Sequence, residues 1–200
     1  REAQPHPSQY KGQASMLYEQ QPDGTFRDVT EAVNLFYPDS KCMGLTVFDF
    51  DNDGILEIFQ ANDHHYNYMF KYVDGKYQDI AISRGVASNS EGVGTGSMHG
   101  TLGDVDGDGL PDMLVSDLDY GALYRNLGTG FFQDVTYSSG IAGPLAGKGT
   151  WGAALFDFDN DGDLDIFAAN GTAEELILQY PILLENDGKG HFTDAGRRYG

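Results

Sequence analysis

The chain has 200 residues, enough for one ordinary domain, and its 40% hydrophobic and 12% aromatic content marks a folded chain. A formal charge of −19, from 31 acidic against 12 basic residues, argues against nucleic acid or an anionic membrane as partner, because both need Lys and Arg to replace counterions. No apolar run approaches the ~20 residues of a membrane span, so direct membrane insertion is not expected.

Residues 1–40 offer only two short strands, 16–18 and 26–30, around the turn Asp23-Gly24. Residues 41–93 offer four: 43–48, 57–59, 68–70 and 77–81, with an acidic loop after the first and Asp74-Gly75 before the last. Residues 94–143 repeat the series at 98–102, 112–115, 122–124 and 132–136. Residues 144–200 repeat it again at 151–156, 165–167, 182–184 and 192–195. The apolar runs are short and bounded by Gly, Asp and Asn, and nothing sustains a helical period. Four strands in each unit of ~50 residues is the pattern of a β-propeller blade. The expected fold is therefore all-β, with blades of four antiparallel strands, about three and a half in number. Residues 1–40 form an arm and a half-blade. A closed ring would need two further strands to complete that half, so the chain is expected to be an internal stretch of a larger propeller.

Thirteen of the 31 acids fall in three nine-residue windows, too tight a clustering for a merely solvated surface. The windows read Asp49-Phe50-Asp51-Asn52-Asp53-Gly54, Asp104-Val105-Asp106-Gly107-Asp108-Gly109 and Asp157-Phe158-Asp159-Asn160-Asp161-Gly162. Calcium wants six to eight hard oxygens, which carboxylates at alternate positions of a tight turn can supply. The expected ligands are Asp49, Asp51, Asp53, the Ile55 carbonyl and Glu57 in the first loop. They are Asp104, Asp106, Asp108, the Leu110 carbonyl and Asp112 in the second, and Asp157, Asp159, Asp161, the Asp163 carbonyl and Asp165 in the third. Three calcium ions are expected. Magnesium, which demands strict octahedral geometry, fits less well. An EF-hand begins with similar letters but closes on a Glu at position twelve between helices; Gln60, Val115 and Ala168 stand there, between strands. The competing reading is that the aspartates only shape Asx turns. Four carboxylates in one turn would then repel without a cation.

These residues resemble the FG-GAP/VCBS repeats of integrin-α-like propellers. The stretch W-G-x-A-x-F-D-F-D-N-D-G-D-L-D-I-F-x-A-N-G from Trp151 to Gly171, with L-L-x-N-D-G-x-G-x-F-T-D from Leu183 to Asp194, is similar to the ASPIC/UnbV and cartilage acidic protein group. The resemblance implies a seven-bladed propeller with calcium between the first two strands of a blade. It also implies an extracytoplasmic setting (secreted, periplasmic or cell surface) and roles in adhesion or assembly. Two departures stand out: His99 replaces the glycine found at Gly44 and Gly152, and Ala195-Gly196 replaces Val-Thr.

No catalytic constellation is visible among the five histidines, His6, His64, His65, His99 and His191. The single Cys42 reads as a packed thiol. Repeated aromatics (Phe48, Phe50, Phe59, Phe156, Phe158, Phe167) are expected to pack between blades, whereas Tyr66 and Tyr120 lie in variable loops that could meet a partner. The expected function is a calcium-stabilised scaffold for protein interaction or adhesion. The alternatives are an enzyme using a propeller face, as a hydrolase or lyase, and an accessory subunit of a membrane-associated complex that docks basic surfaces.

Overall fold

The computed structural model describes residues 9–171 and 178–199; His6 lies outside them. A two-stranded hairpin, β1 (Tyr18–Gln20) and β2 (Phe26–Asp28), comes first. Three four-stranded antiparallel sheets follow, each built from consecutive strands in the order of the chain. The first holds β3 (Cys42–Phe48), β4 (Glu57–Asn62), β5 (Tyr68–Val73) and β6 (Lys76–Asp79). The second holds β7 (Ser97–Gly103), β8 (Asp112–Asp117), β9 (Ala122–Asn126) and β10 (Phe132–Asp134). The third holds β11 (Thr150–Phe156), β12 (Asp165–Asn170), β13 (Ile182–Asn186) and β14 (Phe192–Asp194). These are blades of four antiparallel strands, as the repeat implied.

Single-turn helices α1 (Ala81–Arg84), α2 (Ala142–Leu145) and α3 (Gly196–Tyr199) follow the last strand of each sheet. One turn leaves no periodic trace in a sequence, which is why the strand pattern alone did not announce them.

The aromatic-x-Asp-Val-Thr segments explain how each blade ends. The aspartate caps the turn two residues on: Asp28 Oδ1 accepts from Thr30 N at 2.9 Å, Asp134 Oδ1 from Thr136 N at 3.0 Å, and Asp194 Oδ1 from Gly196 N at 2.9 Å. The threonine hydroxyl then takes an N–H from the third strand, Leu17 to Thr30 Oγ1 at 2.8 Å and Leu123 to Thr136 Oγ1 at 3.0 Å. Where Ala81 stands instead, Asp79 Oδ1 serves both donors, Ala81 N at 3.0 Å and Met69 N at 3.2 Å.

Packing runs from blade to blade. One apolar core joins the first and second sheets through Phe48, Phe59, Met113, Val115, Tyr124 and Phe132. A second joins the second and third through Leu114, Leu123, Ile166, Ala168, Leu184 and Phe192. The innermost strands meet closely, threonine hydroxyl to backbone carbonyl. Thr46 Oγ1 donates to Gly100 O at 2.6 Å, and the equivalent Thr101 Oγ1 donates to Ala153 O at 2.8 Å. A Cβ on Gly44 would sit 3.0 Å from His99 Nδ1 and collide with the Met98 carbonyl, so glycine is what admits the neighbouring strand. The hairpin of residues 9–40 attaches at the rim: Tyr37 packs on Tyr68 and Phe70, and Tyr77 N donates to Val33 O at 2.8 Å.

The aromatic expectation holds in the first blade and fails in the third. Phe48, Phe50 and Phe59 are buried, whereas the equivalent Phe156 and Phe167 are 42% and 40% exposed and Phe158 is only half-buried. The cause is position. The face carrying Phe48 and Phe59 meets the second blade, and the same face of the third blade meets none of the described residues. On the opposite face of the first blade Met43, Leu45 and Val47 are also exposed.

Candidate metal centre

Each acidic loop links the inner strand of a blade to its neighbour, β3 to β4, β7 to β8 and β11 to β12. Its first aspartate ties the turn. Asp49 accepts from Asp53 N at 3.1 Å and Gly54 N at 2.8 Å, Asp104 from Asp108 N at 3.1 Å and Gly109 N at 2.8 Å, and Asp157 from Asp161 N and Gly162 N, both at 3.1 Å. The fourth position is left-handed, with φ of 56° at Asn52, 73° at Gly107 and 65° at Asn160. So is the sixth, at Gly54, Gly109 and Gly162. Asn and Gly are the residues that accept that conformation at least strain.

The fifth aspartate turns one oxygen onto the backbone N–H two residues on, Asp53 to Ile55, Asp108 to Leu110 and Asp161 to Asp163, at 2.8, 2.9 and 3.0 Å. The ninth residue is buried in all three loops, Glu57, Asp112 and Asp165, and pins the second position: Phe50 N, Val105 N and Phe158 N donate to them at 3.1, 3.0 and 3.1 Å. Thus some of these carboxylates shape Asx turns and still leave oxygens facing one another.

Those oxygens gather in trios, with one ligand atom per residue within 4.8 Å of the others: Asp49, Asp51 and Asp53; Asp104, Asp106 and Asp108; Asp157, Asp159 and Asp165. Of the expected ligands, the structure brings these nine into clusters. Glu57, Asp112 and Asp161 fall outside the trios, and Ile55, Leu110 and Asp163 lie beside them at the seventh position. The donor set is all oxygen and anionic, which fits a hard divalent cation and not a thiophilic one.

The electrostatics differ from loop to loop. Burial raises the pKa of Glu57, with Lys71 pulling it back, and burial pushes Asp112 up to about 6. Lys71 Nζ stands amid the first loop, 2.9 Å from Asp51, 2.7 Å from Asp53 and 3.0 Å from Glu57. Burial works against its charge, but the bonds to these three carboxylates outweigh it and hold the ammonium well above its usual range. Arg125 pairs with Asp106 of the second loop and stands 3.9 Å from Asp108. In the third loop desolvation and the neighbouring acids raise Asp159 and Asp163.

Two asparagines outside the acidic motif complete the arrangement. Asn126, at the end of β9, donates to Phe50 O at 3.1 Å and Pro111 O at 3.3 Å, so it holds the loop of its own blade to the loop of the preceding one. Asn186 does the same with Val105 O at 2.8 Å and Leu164 O at 2.9 Å. Their backbone N–H groups donate to Asp112 and Asp165 at 2.8 Å. The signal available in sequence was the shared Asn before Leu127-Gly128 and Asp187-Gly188.

Among the described residues the histidines form no comparable cluster. His99 is exposed on β7, and His64 lies 3.7 Å from Asp63 beyond β4. Cys42 is half-buried and burial raises its thiol pKa, which suits a packed, inert group.

Three overlapping stretches, residues 9–60, 49–115 and 104–168, match the FG-GAP-like repeat family. The chain belongs to that family. Each FG-GAP-like match spans the outer strands of one blade and the inner strands and acidic loop of the next, so the sequence repeat is out of phase with the sheets. No curated protein matches the chain. Among solved structures, the FG-GAP-like chain is similar to a lectin of Agrocybe aegerita, described by its specific recognition of non-reducing terminal N-acetylglucosamine, at 18% identity and a TM-score of 0.43. The alignment covers 92% of this chain and 46% of that one, so the chain spans about half the length of the lectin. Among the described residues no helix is long and apolar enough to cross a membrane.

Proposed function

We propose that the chain is part of a calcium-stabilised, extracytoplasmic β-propeller that serves as a scaffold for protein interaction or adhesion. The observation that carries this is the recurrence of an oxygen-only carboxylate cluster at the same strand-to-strand junction of three successive FG-GAP-like blades. Bound calcium would offset the excess negative charge of these clusters and so fix the turn that joins the two inner strands of a blade. Asp49, Asp51 and Asp53, Asp104, Asp106 and Asp108, and Asp157, Asp159 and Asp165 would hold it, with Glu57, Asp112 and Asp161 close by. Extracellular calcium modules bind at ~10⁻⁴–10⁻³ M, occupied outside a cell and empty in cytosol, which supports an extracytoplasmic home.

The exposed apolar faces on the first and third blades support a place within a larger ring. The −19 charge suits partners with basic surfaces. The test is Asp161→Ala in the full-length protein. Calcium should raise the melting temperature of the wild type over that in chelator, and the variant should lose a measurable part of the difference. A wild type whose melt ignores calcium and chelator alike would remove the calcium from this reading.

A further inference from the structure

The position that follows the third-strand partner of the loop differs among the blades. In β5 it is Lys71, in β9 Arg125 and in β13 Glu185. Register makes them equivalent, since each comes directly after the residue paired with Ile58, Met113 or Ile166, the residue next to the closing acid. From this substitution we infer that the three loops take different cations: the first two are held by side chains of the chain itself, and the third is the loop that requires a divalent ion. The inference rests on the calcium reading above and refines which loop calcium fills first.

In the first loop the Lys71 ammonium already bonds to carboxylates at the third, fifth and ninth positions. Its side chain is 16% exposed and its Nζ lies 5.5 Å from the centre of the Phe50 ring. Calcium entering there must drive a largely enclosed charge out of its cage, at the cost of its charge-assisted bonds to three carboxylates. Arg125 guards the second loop less closely. Its side chain is 44% exposed, and it engages Asp106 directly and Asp108 only at 3.9 Å. It can swing into water when an ion arrives.

Among the described side chains the third loop has no such occupant. Among the described residues no Lys or Arg pairs with Asp157, Asp159, Asp161, Asp163 or Asp165. In place of a cation the third strand presents Glu185, which adds negative charge beside Asp159 and is itself paired with Arg198 on α3. The closing Asp165 joins the ligand trio here, as Glu57 and Asp112 do not in theirs. The expected order of filling is third, second, first. At low calcium the blade pair β3–β10 keeps its loops tied internally, and only the third loop responds.

Hydrogen exchange over a calcium titration of the full-length protein separates the three loops by peptide. Exchange in 157–165 should slow at a calcium concentration at least about tenfold below that needed for 49–57, the scale of one full charge facing a divalent ion in a partly screened site. Lys71→Met should lower the midpoint for 49–57 by a similar factor, and Glu185→Lys should raise that for 157–165. The two variants move opposite windows in opposite directions, so a folding defect in one leaves the other decisive. Coincident midpoints in all three windows, unmoved by either variant, would overturn the inference and leave the calcium reading standing. Absence of calcium-dependent protection in every window would overturn both.

Discussion

Asp112 is fully buried at the mouth of β8, accepts N–H groups from Val105 and Asn126, and faces Asp106 and Asp108. Burial moves its pKa from the ordinary 3.8 to about 6. Between those values the native state binds more protons at this site than the unfolded chain does. The stability contributed is therefore full below pH 3.8 and is lost as pH rises through 6. In chelator, the wild type should gain stability relative to Asp112→Asn as pH falls from 7 to 4.5, read from urea midpoints at each pH. Asn offers one acceptor where two N–H groups converge, so the variant is weaker at every pH; the slope, not the level, carries the prediction. Saturating calcium should reverse the slope, because the ion favours the ionised carboxylate. A wild type and variant with parallel pH profiles in chelator would show that Asp112 does not titrate in this window.

Besides the apolar cores, hydrogen bonds join neighbouring blades, and Asn126 makes one of them. It is buried, and its amide reaches the loop of the preceding blade and that of its own. Asn126→Ala leaves the carbonyls of Phe50 and Pro111 without that donor in a dry interior and should destabilise the protein by about 1–3 kcal/mol, measured by urea unfolding. A loss below a few tenths of that scale would mean the carbonyls find other partners. In the first blade the equivalent place holds Tyr72, which packs on Tyr77 and makes no such bridge.

This is where legibility in the sequence ended. The aspartate spacing, the left-handed Asn and Gly positions and the four-strand repeat are local, and local pattern shows them directly. The partnerships of Lys71, Arg125, Asn126 and Asn186 join residues 14 to 81 positions apart. Their loops become neighbours only after strand register and blade stacking are set. The same cause explains Phe156 and Phe167. Their stretch, 156–167, matches 48–59 at every position but two, Asp163 for Ile55 and Asp165 for Glu57, but burial belongs to the neighbouring blade, which a repeat motif cannot report.

At the scale of the molecule, blades stack by burying the apolar face of each sheet against the next, and both outermost sheets leave one such face bare. Met43, Leu45 and Val47 stand 52%, 51% and 53% exposed at one end, with Phe156 and Phe167 at the other. Contiguous apolar surface of this kind on a soluble protein marks an interface or an aggregation hazard. Residues 33 and 37 meet the rim of the first sheet and Ser15 bonds Cys42 at the start of β3, yet Met43, Leu45 and Val47 stay exposed. Placement within a larger ring then predicts opposite effects of one pair of substitutions in two contexts. Residues 1–200 alone should self-associate in sedimentation velocity, and Leu45→Lys with Val47→Lys should shift them towards monomer. In the full-length protein the same pair would put charge into a covered face and should lower stability by several kcal/mol, since burial of an unpaired charge is among the most disruptive single changes. Unchanged stability there would mean that β3 faces water in the whole protein, and the blades would then have to be stabilised by another arrangement than a closed ring.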